Sequence, residues 1–365
     1  MSRAGVRTVR TILATALVAT VVTATGPPAG AVTPWPGPPP HQVLPNDQAD
    51  PKCPAGHHCT GVYVRCNWSG TWRTLRAWYA EDDRNPATPR GMVVFLSGGE
   101  GTGYNWSNTP QSVPFRTALI NAGLAIVHVR WYAAWNIAPS GDRAGMANVA
   151  CRPVALLDRI YTQEYVPLNI TTPTGECGFC VVGNSDGADA LAYALTHYGP
   201  DTTLKLAIDA VVPVSGPQQA AMRAGCLNQA GYQWDASHLI DIDESYGYRY
   251  TVGDPNPPPC YRHDTSPAWK DGRWVQDGVE SGGTDYDYPE TRIHLILGTV
   301  DKTTIRNHAR AWETVLEAAA PALCDFQSTT TGSRCREEFV AAMDVKIRSD
   351  PEGLNAVRLA LVWTA

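Results

Sequence analysis

Gly183-Asn184-Ser185-Asp186-Gly187 constrains this chain more than any other segment. It follows directly on the apolar run Phe179, Cys180, Val181, Val182. It precedes Ala188, Leu191, Ala192 and Leu195, which recur at helical spacing until His197, Tyr198 and Gly199 close the pattern. A strand that turns at once into a helix can lift the residue at the turn clear of the backbone. Glycine on both flanks lets neighbouring main chain pass close to it. A serine hydroxyl attacks a carbonyl only from such a position, beside a base and beside N–H groups that hold the developing oxyanion. Three fixed letters in five also describe an ordinary serine in a glycine-rich turn. The strand before it and the helix after it are what favour a nucleophile.

The same alternation of apolar runs and helical patterns continues along the chain. Met92 to Leu96, Leu124 to Val129, Phe179 to Val182, Leu206 to Val214 and Ile293 to Leu297 have the character of buried strands, with helical patterns between most of them, as from Ala144 to Tyr161. Continuous apolar strands interleaved with helices predict a mainly parallel sheet covered on both faces, an α/β fold. Val62 to Arg65 and Trp72 to Tyr79 alternate instead, around Asn67-Trp68-Ser69-Gly70, and predict an antiparallel hairpin. The stretch 226–290, rich in Gly, Pro, Tyr, Trp and Asp, breaks the rhythm. It is expected to be an insertion over the carboxyl ends of the strands, where reactive groups of such sheets gather.

The first residues point to export. Arg3, Arg7 and Arg10 precede an apolar stretch from Thr11 to Thr25, and Ala29-Gly30-Ala31 offers small residues to a signal peptidase. The stretch is short and interrupted for a membrane span. Cleavage after Ala31 would leave a Pro/Gly-rich leader at 32–59 and a domain at 60–365, and would carry the formal charge from −6 to −9. So acidic a chain is poorly suited to nucleic acid. Ten cysteines agree with an oxidising compartment. Cys324 with Cys335 and Cys226 with Cys260 are near-neighbour pairs, and Cys177 and Cys180 are expected to bridge to each other or to Cys151 rather than to hold zinc. No cofactor fingerprint and no metal cluster stands out.

Two further segments belong beside Ser185 on this reading. Ser97-Gly98-Gly99-Glu100-Gly101 follows the strand at Met92 to Leu96. It is either a flexible surface loop or a donor loop in which Gly99 and Glu100, with the N–H of Asp186, form an oxyanion hole; a carboxylate at Glu100 would have to turn away. Asp301 follows the strand at Ile293 to Leu297 and precedes a helix starting near Thr303. It is either the acid that orients a histidine or a helix N-cap.

With these residues in hand, positions 60 to 362 resemble the α/β-hydrolase superfamily. The likeness is greater to its secreted esterase branch, which includes lipases and polyester depolymerases. The resemblance rests on Gly98-Gly99, the turn at Ser185, the strand into Val214-Ser215-Gly216-Pro217, Asp301, and the closing helix at Pro351-Glu352-Gly353-Leu354; Ser97-Gly98 replaces the usual His-Gly. It implies cleavage of a small or polymeric carboxylic ester through an acyl-enzyme on Ser185, with Asp301 as the acid.

The family places its histidine in the loop before the closing helix. Here that loop, Met343 to Asp350, contains none. Nine histidines elsewhere in the chain could substitute. His308, two helical turns beyond Asp301, comes first and His263 next, while His238 shares the insertion that could lower either it or His263 over Ser185. His128 and His294 lie in strands, His197 is a favourable charge at a helix end, and His41, His57 and His58 are solvated in the leader. With no histidine in place, the chain would be an impaired member of the fold that binds an ester or glycan. Abundant Trp and Tyr, including Tyr104, Trp106, Trp131, Tyr132, Trp135, Trp234, Tyr246 and Trp274, suit either half-buried packing or stacking on a sugar or aryl group.

Overall fold

The computed structural model describes residues 36–365 apart from positions 69, 100, 108, 171–175, 200–207, 252–256, 265–267, 328–332, 342, 344–348 and 363–365. The expected signal segment 1–31, Glu100 and most of the histidine-free loop lie outside the described residues.

The strands are β1 (His41–Asn46), β2 (His57–Trp68), β3 (Thr71–Asp82), β4 (Gly91–Leu96), β5 (Leu124–Trp131), β6 (Phe179–Asn184), β7 (Ala210–Val214), β8 (Arg292–Gly298) and β9 (Cys335–Val340). The helices are α1 (Ser112–Asn121), α2 (Met146–Val149), α3 (Cys151–Ile160), α4 (Asp186–Tyr198), α5 (Met222–Cys226), α6 (Ala236–Ser245), α7 (Ala268–Asp277), α8 (Thr303–Ala319) and α9 (Pro351–Val362). The strands form one sheet in the order β1-β2-β3-β5-β4-β6-β7-β8-β9. β1, β2 and β3 are antiparallel at one edge, and from β5 onward every pairing is parallel.

Period-two alternation divides the core between the two faces. Val93, Phe95, Ile126, Val182, Val212 and Ile296 pack with Phe115 and Leu119 of α1 and with Leu354, Val357 and Leu361 of α9. Val94, Leu96, Val127, Val181, Val211 and Leu295 pack with Leu157 of α3, Leu191 and Leu195 of α4, and Trp312 and Leu316 of α8. A strand buried on both faces favours apolar residues at successive positions, and this is why β4 to β8 appear in the sequence as largely apolar runs, with buried His128 and His294 as exceptions.

β4 is flanked by β5 on one side and by β6 on the other, so the chain leaves it in one direction and later returns in the other. At such a switch point the loops leaving the strand ends diverge and open a crevice. The pairing of Leu96 with Gly183 fixes which loops meet there: the glycine loop after β4 and the serine turn after β6.

Several expectations are refined. The segment read as a leader joins the sheet, with β1 paired along β2 and a Cys53–Cys59 bridge behind it. The helical pattern at 144–161 is split into α2 and α3. The bridges Cys226–Cys260 and Cys324–Cys335 are as expected, Cys177 pairs with Cys180, and Cys66 pairs with Cys151. His57 is packed, not solvated. Its Nε2 lies 2.9 Å from Arg116 Nη1, in a cluster with Asp82. His197 is fully buried, and burial lowers it to about 4, so it is neutral and adds no charge to the end of α4.

Candidate functional site

Ser185 stands between β6 and α4 with φ 55° and ψ −121°, a conformation that costs a non-glycine residue on the order of 1–3 kcal/mol. Hydrogen bonds on both sides hold it there. Its N–H donates to Val214 O at 3.0 Å, and its carbonyl accepts from the N–H of Ala188 at 2.7 Å and of Asp189 at 3.1 Å. The flanking glycines answer to close backbone. A Cβ on Gly187 would meet Leu96 O at 2.6 Å, and one on Gly183 would collide with Gly187 O. The motif is therefore a steric requirement of the turn.

The hydroxyl faces a cleft of about 460 Å³ whose wall includes Gly99, Asp186, Gln218, His238 and Asp301. Gly98 passes directly over the serine, since a Cβ there would stand 2.8 Å from Ser185 Cβ. Asp186 opens α4, and the N–H groups of a helix start point outward along the axis. Gly99 and Asp186 both border the serine in the cleft wall. The structure brings together Ser185, Gly99, Asp186 and Asp301.

Asp301 is 4% exposed and bound into the strand ends. Its Oδ2 accepts from Ser215 Oγ at 3.0 Å and from the N–H of Gly298 at 2.6 Å. It does not cap α8, whose N-cap position is Lys302.

His308 is not placed to serve the serine, which corrects the expectation for it. Its ring lies in the core, stacked on Trp234 at 4.7 Å between centroids. Nδ1 accepts from the N–H of Ala221 at 3.1 Å, so Nε2 carries the proton and faces Tyr232 O at 3.3 Å. Both nitrogens are committed to backbone, and burial lowers the group to about 3. His263 is not among the residues that line the cleft, and its Nδ1 donates to Cys226 O at 2.9 Å.

The imidazole that lines the cleft is His238, the third residue of α6, and it is linked to Ser185 through a residue that sequence reasoning passed over. Gln218 Nε2 donates to Ser185 Oγ at 2.9 Å and to Ser215 O at 3.0 Å, and the second bond fixes which end of the amide is which. Its Oε1 accepts from His238 Nε2 at 2.5 Å. His238 Nδ1 donates to Asp235 Oδ1 at 2.8 Å, and Lys302 Nζ donates to Asp235 Oδ2 at 2.8 Å. Asp235 is the N-cap of α6, which places the residue three positions later against its carboxylate. Burial works to raise the Asp235 carboxyl, but bonds from Lys302, Ser237 and His238 hold it well below the usual carboxylate range. Trp234 Nε1 donates to Gln218 O at 2.9 Å and so docks the start of the insertion against the loop after β7.

Most of the aromatic residues noted in the sequence are packing groups. Tyr104, Trp106, Trp131, Trp135, Trp234, Tyr246 and Trp274 are buried, and Tyr132 is exposed. Among the described residues no group of His, Cys, Asp or Glu is arranged to hold a metal ion, and no helix is long and apolar enough to cross a membrane.

No family model and no curated protein matches the sequence. Among solved structures the chain is similar to carboxyl esterase 2 of the mycorrhizal fungus Tuber melanosporum, at 14% identity and a TM-score of 0.46 over 83% of this chain and 85% of that one. It is similar to a bacterial heroin esterase at 16% identity and a TM-score of 0.46, over 85% and 86% of the two chains. Brefeldin A esterase, a bacterial homologue of human hormone-sensitive lipase, gives 14% and 0.46 over 86% and 78%. The strand order and the serine turn at the carboxyl end of β6, independently of those likenesses, make this an α/β-hydrolase fold.

Proposed function

We propose that the protein is an exported serine hydrolase that cleaves carboxylic esters through an acyl-enzyme on Ser185. The observation that carries this reading is the strained Ser185 in an open cleft that the Gly98-Gly99 loop and the start of α4 border. Such a site offers a nucleophile and preorganised donors together. Five disulfides and the arginine-led apolar N-terminus support export.

A second reading, an impaired relative that binds an ester or glycan without turning it over, is favoured by Gln218. Its amide donates to Ser185 Oγ in the place where a base would accept the hydroxyl proton. A fluorophosphonate probe and p-nitrophenyl esters separate the two. The hydrolase reading expects labelling and turnover, both abolished in Ser185→Ala. Wild-type protein that binds ester without hydrolysing it above background supports the second reading, and equal turnover by Ser185→Ala overturns the nucleophile.

A further inference from the structure

We infer that His238, oriented by Asp235, is the general base for Ser185 and that Gln218 is the latch that keeps it off the serine at rest; this rests on the ester-hydrolase reading above. The base then comes from the insertion and not from the segment after β9.

Three observations converge on His238. It lines the same cleft as Ser185, and its ring is separated from Ser185 Oγ by one side-chain amide. Its Nδ1 is held by a carboxylate, the arrangement that selects which nitrogen works and that stabilises the cation formed when it does. That carboxylate is fixed twice over, as the cap of α6 and as the partner of Lys302.

The resting geometry is also a locked one. Gln218 Oε1 and Asp235 Oδ1 are both acceptors, so the ring presents a proton to each. Ser185 Oγ meanwhile receives a hydrogen bond where it must give one. Turning the Gln218 side chain aside frees Ser185 Oγ and lets Nε2 give its proton to solvent, which leaves a neutral imidazole with a lone pair at Nε2. His238 Nε2 then faces the serine directly or across one water, within the reach of general-base catalysis. An ester entering between Gly99 and Gln218 is placed to cause that displacement.

The step balances as follows. Ser185 Oγ forms a bond to the acyl carbon while the carbonyl electron pair moves to its oxygen, and the hydroxyl proton passes to Nε2 of neutral His238. When the pair returns, the bond to the alcohol oxygen breaks and that oxygen takes the proton from Nε2. Water then repeats the two steps on the acyl-enzyme, releasing the acid.

The test is steady-state hydrolysis of p-nitrophenyl acetate by the full chain, with melting temperatures to confirm folding. His238→Ala should lower kcat by about 10²- to 10⁴-fold with partial rescue by free imidazole. Asp235→Asn keeps a capping side chain and should lower kcat at least tenfold with little change in KM. Gln218→Ala should raise kcat threefold or more. His238→Ala within threefold of wild type, while turnover still requires Ser185, overturns the base and leaves the nucleophile standing. No rise in Gln218→Ala overturns the latch. Turnover that persists in Ser185→Ala shows that the underlying hydrolase reading has failed instead.

Discussion

An alanine at Gly98 tests whether the loop after β4 is part of the catalytic apparatus. Its Cβ would stand 2.8 Å from Asn184 O and 2.8 Å from Ser185 Cβ, where ordinary contact lies at 3.4–4 Å. A gap of at least about 0.6 Å must therefore open, beyond the roughly 0.5 Å within which a catalytic constellation has to be held. The elbow cannot yield, because Ser185 is pinned to Val214 and Ala188 through its own main chain. The loop must yield instead, against Asn105, whose N–H donates to Ser97 Oγ at 3.1 Å and whose Nδ2 donates to Gly98 O at 3.0 Å. Losing one oxyanion donor costs about 10²- to 10³-fold in kcat, so Gly98→Ala is expected to lower kcat about 100-fold, near 2.7 kcal/mol, with KM changed less than about threefold. Gly99→Ala is the contrast. Among the described residues other than its chain neighbours nothing lies within 4 Å of its Cβ position, and φ is +63°. Its cost is the left-handed backbone, about 1–2 kcal/mol of stability, seen in the melting temperature and not in kcat. Steady-state ester hydrolysis beside thermal melts reads both. Gly98→Ala that melts like wild type and keeps kcat within threefold would refute the role given to this loop.

Two further outcomes follow from the frame. The Cys66–Cys151 bridge spans 85 residues and the Cys177–Cys180 bridge 3, so chain entropy predicts a stability loss of about 4.6 kcal/mol for the paired serine replacement of the first against about 1.6 for the second. Urea unfolding should return that ranking, and a reversed order contradicts it. His308 and His197 are lowered by burial to about 3 and about 4, so the unfolded chain binds more protons than the folded one in the window from about pH 6.5 down to those values. Stability contributed by each is present above 6.5 and is lost as pH falls through that window. His308→Gln and His197→Gln should each flatten the slope of the urea midpoint between pH 7 and 5, and an unchanged slope in both sinks the argument.

What the sequence disclosed and what it withheld divide along a physical line. Ser185 and its glycines were legible because the main demands on them are local: a strained turn, Gly187 O against Gly183, and a helix that must begin at once. β4 to β8 were legible because burial on both faces favours long apolar runs, which His128, Arg130 and His294 interrupt without breaking the pattern. The edge strands were not. Cys335–Val340 reads Cys-Arg-Glu-Glu-Phe-Val with Arg336 and Phe339 exposed, and β1 carries Pro45, because an edge strand faces solvent and tolerates charge and proline. The site shows the same limit. Asp235-Ala236-Ser237-His238 does carry a signal, since an aspartate N-cap brings the residue three positions on against its carboxylate. Nothing local says that this helix start is the part of the insertion that comes down on Ser185. That depends on Trp234 reaching Gln218 O from a different segment. His308 was the more attractive candidate by distance along the chain from Asp301, yet Trp234 and Tyr232 of the same insertion enclose it. One short segment, Tyr232 to His238, therefore buries one histidine and presents another. Gln218 has no sequence signature at all, because a neutral amide becomes informative only when a hydroxyl and an imidazole stand on its two sides.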